Sequence, residues 1–172
     1  MKNKVIPKNE ELTLSEDKLL VSKTDTKGVI TYANPAFSEY SGYKEAELLG
    51  MQHNIVRHPD MPCLIFELMW QALQSKREFN GYLKNLSKTG QFYWVFANIT
   101  PSFDENNEVI GYYSVRRKPD NEKLKFIKNL YLELRDIEES DSSNDAIDKS
   151  RFKLNSILNA REKGYDEFIL SI

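Results

Sequence analysis

The sequence has one cysteine, no long apolar run and little net charge, and each shortage excludes a class of protein. Its 172 residues contain Cys63 alone, which excludes an intramolecular disulfide and indicates a reducing compartment. The N-terminus lacks an apolar signal core, and no run reaches the roughly 18 apolar residues of a membrane span. A net charge of −2 gives no electrostatic case for binding nucleic acid. We therefore predict a cytoplasmic protein that inserts no segment into a membrane and reaches one only through a partner.

The composition is that of one globular domain with appendages. Hydrophobic residues make up 40% and charged residues 29% of the chain, which is enough to bury a core without disulfides. We divide the chain into an N-terminal arm at 1–15, a domain at 16–118 and a C-terminal helical extension at 119–172. The arm is polar and predicted to be loose, and the acidic, serine-rich stretch 138–144 is predicted to be a linker.

The order of strands and helices predicts an α+β fold in which a five-stranded antiparallel sheet carries short helices on one face. β-Branched and aromatic residues predict strands at 19–24, 29–33, 78–86, 91–101 and 109–117. Capping residues and apolar periodicity predict helices at 35–41, 44–49 and 64–75, one from residue 120, and one around 147–158 that ends before Gly164. The last two form the C-terminal extension.

The segment 54–62, with the sequence NIVRHPDMP, concentrates a cation, an imidazole, a carboxylate and two prolines. Prolines fix φ and remove backbone donors, so the segment is predicted to be a stiff connector that presents Arg57, His58 and Asp60. A guanidinium offers forked donors to phosphate oxygens, and a protonated imidazole adds positive charge. One interpretation is that the connector closes over an anionic cofactor. The alternative is an ordinary Arg57–Asp60 ion pair that fixes the connector.

Asn85 and Trp70 are candidate ligand residues with alternatives of their own. If Leu83 faces the core, strand alternation places Asn85 on the same face, where its amide offers a donor and an acceptor to a bound ligand. The alternative is an exposed amide near the turn at 88–90. Trp70 is suited to stacking on a planar ring of a ligand, and also to plain core packing.

The strand around residues 92–99 is apolar on both faces, whereas a half-exposed antiparallel strand alternates apolar with polar residues. Tyr93 lies on one face and Trp94 on the other. The outer face is therefore predicted to be covered by the C-terminal helices, by a second copy in a homodimer, or by a receptor.

Other chemistries find little support in the residue pattern. The spacing of His53, His58, Asp60 and Cys63 fits no compact zinc site, whereas haem ligation by either histidine stays open. No nucleophile–base pair or paired carboxylates stand out, so we predict that the protein is not an enzyme.

Several short motifs resemble PAS sensor domains, and the resemblance covers about residues 16–118. Those motifs are YANPAF at 32–37, SGY at 41–43, HNIVRHPDMP at 53–62, KN at 84–85, YWV at 93–95, GY at 111–112 and SVR at 114–116. The run at 53–62 is the most specific of them, and it is similar to the PAS domains of the aerotaxis receptor (Aer) family.

The resemblance implies FAD, bound non-covalently and used to report redox state in energy taxis. The residues it assigns to the cofactor are Asn34, Arg57, His58, Asp60, Phe66, Trp70, Asn85 and Tyr93. It also implies a stand-alone form of the CetB type that signals through a membrane chemoreceptor with HAMP and signalling domains. A haem-binding PAS gas sensor and a ligand-free PAS docking or dimerisation module are the alternatives.

Overall fold

Five antiparallel strands form one sheet in the computed structural model of the protein, which describes residues 5–140 and 145–172. The spatial order of the strands is β2-β1-β5-β4-β3. Their bounds are Leu20–Thr24 (β1), Ile30–Ala33 (β2), Phe79–Leu86 (β3), Phe92–Phe103 (β4) and Val109–Arg117 (β5). The predicted α+β class and the number of strands are confirmed.

Among residues 5–140 and 145–172, six α-helices flank this sheet. Three of them and a short 3-10 turn at His53–Val56 lie between β2 and β3 in the chain, and three follow β5. The helices are Pro35–Ser41 (α1), Glu45–Leu48 (α2), Cys63–Gln74 (α3), Asn121–Ser140 (α4), Ala146–Ala160 (α5) and Tyr165–Ser171 (α6). The first five were predicted to within one or two residues where both ends were specified.

Local sequence determines where α1 begins and ends. Asn34 Oδ1 accepts hydrogen bonds from the backbone N–H groups of Phe37 at 2.9 Å and Val21 at 3.0 Å, and Pro35 follows at the first helical position. Gly42 ends the helix with a φ of 72°, a left-handed conformation that glycine adopts without strain. Asn34 therefore joins α1 to β1.

The outer face of the sheet is covered by α4. The buried side chains of this helix recur at steps of three and four residues, and they are Leu124, Ile127, Leu130, Tyr131 and Leu134. The Tyr131 ring packs against Trp94 with centroids 6.1 Å apart, and its hydroxyl donates to the Tyr82 carbonyl oxygen at 3.0 Å. The protein's own C-terminal extension thus covers the doubly apolar strand, which was the first of the three predicted alternatives.

Replacing Tyr131 with phenylalanine tests whether this helix is docked in solution. The buried Tyr82 carbonyl loses its side-chain donor, so we expect the free energy of unfolding to fall by about 1–2 kcal/mol in urea denaturation. The matched control is Tyr113→Phe, because Tyr113 is half-buried on β5, and it should change stability by less than about 0.5 kcal/mol. Equal effects of the two substitutions would contradict the docked position of α4.

One segment, residues 50–58, is hydrogen-bonded to both outer strands of the sheet. Beside β2, the Gly50 N–H donates to the Ile30 carbonyl at 2.9 Å, and the Ile30 N–H donates to Met51 at 2.8 Å. Beside β3, Arg57 pairs with Asn85 in an isolated bridge, and the His58 N–H donates to the Lys84 carbonyl at 3.3 Å. The connector is therefore held against the strand that carries Asn85.

Three sequence predictions need correction. The arm is not loose over its described part, residues 5–15, because Leu12 N–H donates to the Phe92 carbonyl at 2.7 Å and Leu14 is only 2% exposed. The predicted linker 138–144 is partly wrong, since 138–140 belong to α4, whereas 141–144 lie outside the described residues. Gly164 follows α5 as predicted, but it also serves as the N-cap of α6, which was not predicted.

Candidate functional site

A cavity of about 210 Å³ lies between the inner face of the sheet and the helical segments at 52–57 and α3. The sheet contributes residues at alternating positions of four strands, as the two-residue period of a strand requires. Together with the helical side and the turn at Gly28, the lining residues are Ser22, Thr24, Gly28, Gln52, His53, Asn54, Val56, Arg57, Phe66, Met69, Trp70, Leu73, Leu83, Asn85, Ile99, Tyr112, Ser114 and Arg116.

A buried guanidinium lies at the inner face of this cavity. Arg116 on β5 is 2% exposed, and its Nη1 and Nη2 donate to Ser22 Oγ and His53 Nε2, each at 3.0 Å. Ser22 Oγ and His53 Nε2 are themselves 2.9 Å apart. No carboxylate among the described residues forms a salt bridge with Arg116. Among the described residues, this buried positive charge therefore has the Phe37 ring 5.3 Å away but no carboxylate partner.

The charges and tautomer of this cluster follow from its hydrogen bonds. A guanidinium has donors only, so His53 Nε2 is an acceptor and the imidazole carries its proton on Nδ1. Burial and the adjacent Arg116 charge lower the pKa of His53 to about 3. Burial also lowers the pKa of Arg116, but only to about 10. At neutral pH the cluster therefore consists of a neutral imidazole and a charged guanidinium.

Four buried polar atoms at or behind the cavity have no hydrogen bond in good geometry among the described residues. They are Asn85 Nδ2, Ser114 Oγ, Arg116 Nε and the Tyr93 hydroxyl. Asn85 and Tyr93 are directly paired across β3 and β4; burial raises the pKa of Tyr93 well above its usual range, and the nearby Asn85 side chain acts in the opposite direction. Buried polar groups are normally paired, and an unmade bond costs roughly 1–3 kcal/mol. A ligand with polar edges is the partner type that this set lacks.

Aromatic side chains and a second guanidinium form the half-buried outer part of the cavity. The Arg57 guanidinium lies 3.8 Å from the Phe66 ring centroid, and its Nη2 donates to Cys63 Sγ at 3.4 Å. Trp70 contacts Tyr112 edge to face at 5.6 Å. Arg57, Phe66 and Trp70 therefore present a cation and two aromatic rings to anything that enters.

The alternative Arg57–Asp60 ion pair is wrong. Asp60 instead accepts from Lys84 Nζ at 2.6 Å, and its other neighbour is His58 Nδ1 at 3.4 Å. Burial and the Lys84 charge lower the pKa of His58 to about 4, which outweighs the opposing effect of Asp60. His58 is thus neutral at pH 7 and adds no positive charge. Arg57 has no carboxylate partner among the described residues.

The cavity brings together four of the eight candidate residues, namely Arg57, Phe66, Trp70 and Asn85. Asn85 faces inward with Leu83, as the strand alternation predicted, and is only 5% exposed. The other four lie off the cavity wall: Asn34 caps α1, His58 and Asp60 fix the connector to Lys84, and Tyr93 is buried behind Asn85. Their role in binding a cofactor stays a prediction.

Ser22, Ser114 and Arg116 line the cavity but were not predicted from the sequence to be site residues. The available signal was on β5, where Tyr112, Ser114 and Arg116 occupy every second position of a strand in the middle of the sheet. Polar residues with that spacing point to one face of a buried strand, which is unusual unless they line a site.

One ring nitrogen of each histidine is already engaged in hydrogen bonds and is not available to a haem iron. His53 Nε2 is occupied by Arg116 and Ser22, and His58 Nδ1 accepts from the Asp60 N–H at 3.1 Å. Within residues 5–140 and 145–172, no group of three or more His, Cys, Asp or Glu side chains is arranged to hold a metal ion. Over the same residues, no helix has the length and apolarity needed to cross a bilayer.

Known proteins share this sequence pattern over the domain. The chain is 42% identical over 118 residues to the aerotaxis receptor of Escherichia coli (strain K12), a match that covers 69% of this chain and 23% of the receptor. It is 35% identical over 97 residues to the nitrogen fixation regulatory protein of Klebsiella pneumoniae, covering 56% of this chain and 20% of that protein. The chain therefore spans about a quarter or less of the length of these relatives.

Solved structures share the fold. The blue-light photoreceptor Aureochrome1 LOV domain in its dark state superimposes with a TM-score of 0.59 at 19% identity, over 64% of this chain and 82% of that one. A light-oxygen-voltage domain studied with a flavin analogue gives a TM-score of 0.57 at 25% identity, over 64% and 84%. The family described as the PAS fold matches residues 30–116. The chain therefore belongs to the PAS-fold family, and its PAS domain is similar to that of the aerotaxis receptor.

Proposed function

We propose that the cavity binds a flavin, FAD in particular, and that the protein is a redox sensor for energy taxis. The observation that carries the proposal is the charged, buried Arg116, which lines the cavity, has no carboxylate partner among the described residues and has an unpartnered Nε. A buried charge is stable only when it is paired, so the site is suited to a ligand that carries negative charge or gains it. The light-oxygen-voltage domain of similar fold that was studied with a flavin analogue supports the same ligand class.

The unpartnered atoms match a flavin's polar edge. Asn85 Nδ2 and Arg116 Nε are donors, and the Ser114 hydroxyl can donate or accept. The pyrimidine part of a flavin offers carbonyl and ring-nitrogen acceptors together with one N–H. A planar ring system with acceptors along one edge would therefore satisfy donors that are otherwise buried at a cost.

The outer part of the cavity is suited to the phosphates of FAD. Arg57 is held at this end by the connector and pairs with no carboxylate among the described residues, so its forked donors are suited to a pyrophosphate. The cavity of about 210 Å³ is smaller than the roughly 300–1,000 Å³ typical of ligand sites. Binding therefore requires the half-buried Arg57, Phe66 and Trp70 side chains to move outward.

When bound, a flavin supplies reversible electron transfer, and the protein supplies binding and electrostatics. Arg116 keeps its charge at neutral pH and stabilises negative charge near it. His53 stays neutral and holds Nη2 of Arg116 by accepting its hydrogen bond. Asn85 offers both an acceptor and a donor, so it can reverse its hydrogen bond when the protonation of its partner changes.

The proposed output is a change in how the protein fits a separate membrane chemoreceptor with HAMP and signalling domains. The name of the aerotaxis receptor, 42% identical over 118 residues, supports this class of signalling. In this proposal the protein is cytoplasmic and reaches the membrane through that receptor. The proposed role does not depend on whether the protein forms a homodimer. Flavin reduction by dithionite should change receptor affinity, and unchanged affinity would count against the signalling role.

The binding proposal is tested with two flavins that differ in their phosphates. Purified protein should be yellow and release FAD on denaturation. Arg57→Ala should weaken FAD binding by roughly 10-fold through the lost charged hydrogen bonds, and riboflavin binding by less than about 3-fold. Trp70→Ala should weaken both equally, because a stacking partner contacts only the ring.

The control is Arg77→Ala, since Arg77 pairs with Asp166 on the exposed surface away from the cavity lining. It should leave both affinities unchanged. Protein that is colourless and takes up no added flavin would overturn the proposal and favour the ligand-free docking module. A Soret band would favour the haem alternative.

A further inference from the structure

The first turn of α3 is capped by a side chain from a distant helix. Its own N-cap residue, Pro62, provides no side-chain acceptor. Instead, the Glu138 carboxylate on α4 accepts from the Cys63 N–H at 2.6 Å and from the Leu64 N–H at 3.1 Å. The first backbone N–H groups of a helix have no intrahelical partner, and the helix dipole favours negative charge at this end. Glu138 therefore determines how the start of α3 is held.

The capped helix, α3, forms one wall of the cavity. Phe66 and Trp70 extend from α3 into the cavity, and Met69 and Leu73 line it from the same helix. Cys63, whose N–H is bound by Glu138, also accepts a hydrogen bond from Arg57 through its sulfur. Cys63 thus connects the Glu138 carboxylate on α4 to the Arg57 guanidinium at the outer part of the cavity.

A further charged contact joins the C-terminal extension to the same helix. Arg151 on α5 pairs with Glu67 on α3 at 2.7 Å. The extension is therefore in contact with α3 through Glu138 and Arg151, in addition to the outer face of the sheet.

We propose that Glu138 is a positioning residue that couples occupancy of the cavity to the docking of the C-terminal extension. The inference rests on the proposed flavin site, because it takes the ligand to be the event that moves α3. Entry of a planar ring requires Phe66 and Trp70 to move outward, and a shift of α3 changes the two hydrogen bonds to Glu138. If the ligand changes the strength of that contact, then removing the contact changes the affinity for the ligand by the same factor.

The test measures FAD affinity and amide hydrogen exchange in the full chain with Glu138→Ala, Glu138→Gln and Glu139→Gln. Loss of the cap should strengthen FAD binding by roughly 3- to 30-fold in Glu138→Ala, because the two hydrogen bonds oppose the outward shift of α3 that the ligand requires. Glu138→Gln should fall between this variant and the wild type, because an amide keeps one of the two acceptor oxygens. Glu139→Gln, which removes the same charge one residue later in an Arg135 pair, should stay within about 2-fold.

Hydrogen exchange separates coupling from a loss of stability alone. In the wild type, saturating FAD should change the protection of the amides at 130–140 and of Cys63 and Leu64. In Glu138→Ala at saturating FAD, the change at 130–140 should disappear. Unaltered FAD affinity, or a ligand-dependent change at 130–140 that persists in this variant, would overturn the inference. A wild-type chain that binds no FAD overturns the proposed function itself, and this inference with it.

Discussion

Replacing Arg116 with methionine is expected to stabilise the FAD-free protein and to weaken FAD binding by roughly 100-fold. The two effects have opposite signs because the guanidinium is buried without a carboxylate in the free protein and is needed only when the ligand is bound. Removing a buried, unpaired charge is commonly neutral or stabilising, here by about 1–3 kcal/mol. Ser22 Oγ and His53 Nε2 lie 2.9 Å apart in the native protein, so we expect each to keep the other as a hydrogen-bond partner after the substitution.

The loss of affinity has a separate origin. A hydrogen bond to a charged group contributes about 1.5–3 kcal/mol, and 100-fold in affinity corresponds to about 2.7 kcal/mol. Urea denaturation without FAD and titration of FAD into the folded protein measure the two quantities. Arg117→Met is the matched control, since Arg117 is exposed at the next position and lies on the opposite face of β5. If Arg116→Met lowers both stability and affinity, the guanidinium has a structural role instead.

Acidification is expected to destabilise the protein well above the pH at which carboxylates titrate. The pKa of His53 is lowered to about 3 and that of His58 to about 4, from an ordinary value near 6.5. Above about pH 6.5 both imidazoles are neutral in the folded and unfolded chains, so their contribution to stability is fully present. As the pH falls below 6.5, the unfolded chain takes up protons that the folded chain does not, and stability is lost.

The expected size follows from linkage. At about pH 5.5 each histidine lowers the free energy of unfolding by about 1.4 kcal/mol relative to pH 7.5, or about 3 kcal/mol together. Most carboxylates are still charged in this range, so the histidines dominate. Urea denaturation at the two pH values measures the change, and His53→Asn should remove about half of it. A stability that is constant between about pH 7.5 and 5.5 would show that both imidazoles are accessible to protons when folded.

The fold was largely predictable because its signals are local. The alternation around Asn85 and the three- and four-residue steps of α4 each depend on neighbours a few positions away in the chain. The doubly apolar strand around Trp94 likewise indicated a cover, although it left three candidates for it. In the structure the cover is α4, and it is held in place by contacts between residues far apart in sequence, such as Tyr131 and Tyr82.

The centre of the site was not predictable for the opposite reason. Arg116, Ser22 and His53 are separated by 31 to 94 positions in the chain, and only the β1–β5 pairing and the turn at residues 53–56 bring them together. A single arginine in a strand gives no indication of whether it faces water or the core. The same limit explains the wrong Arg57–Asp60 ion pair, because residues close in sequence were chosen over Lys84 on a neighbouring strand.

The hydrogen bonding of residues 50–58 has a consequence for assembly. A sheet usually ends in strands whose free N–H and C=O groups invite another chain to add a strand, which is a route to aggregation. Here one segment occupies positions along both outer strands, at Ile30 on one side and at Lys84 and Asn85 on the other. Strand addition is therefore disfavoured at these positions of both outer strands, where residues 50–58 already use the backbone hydrogen-bonding groups.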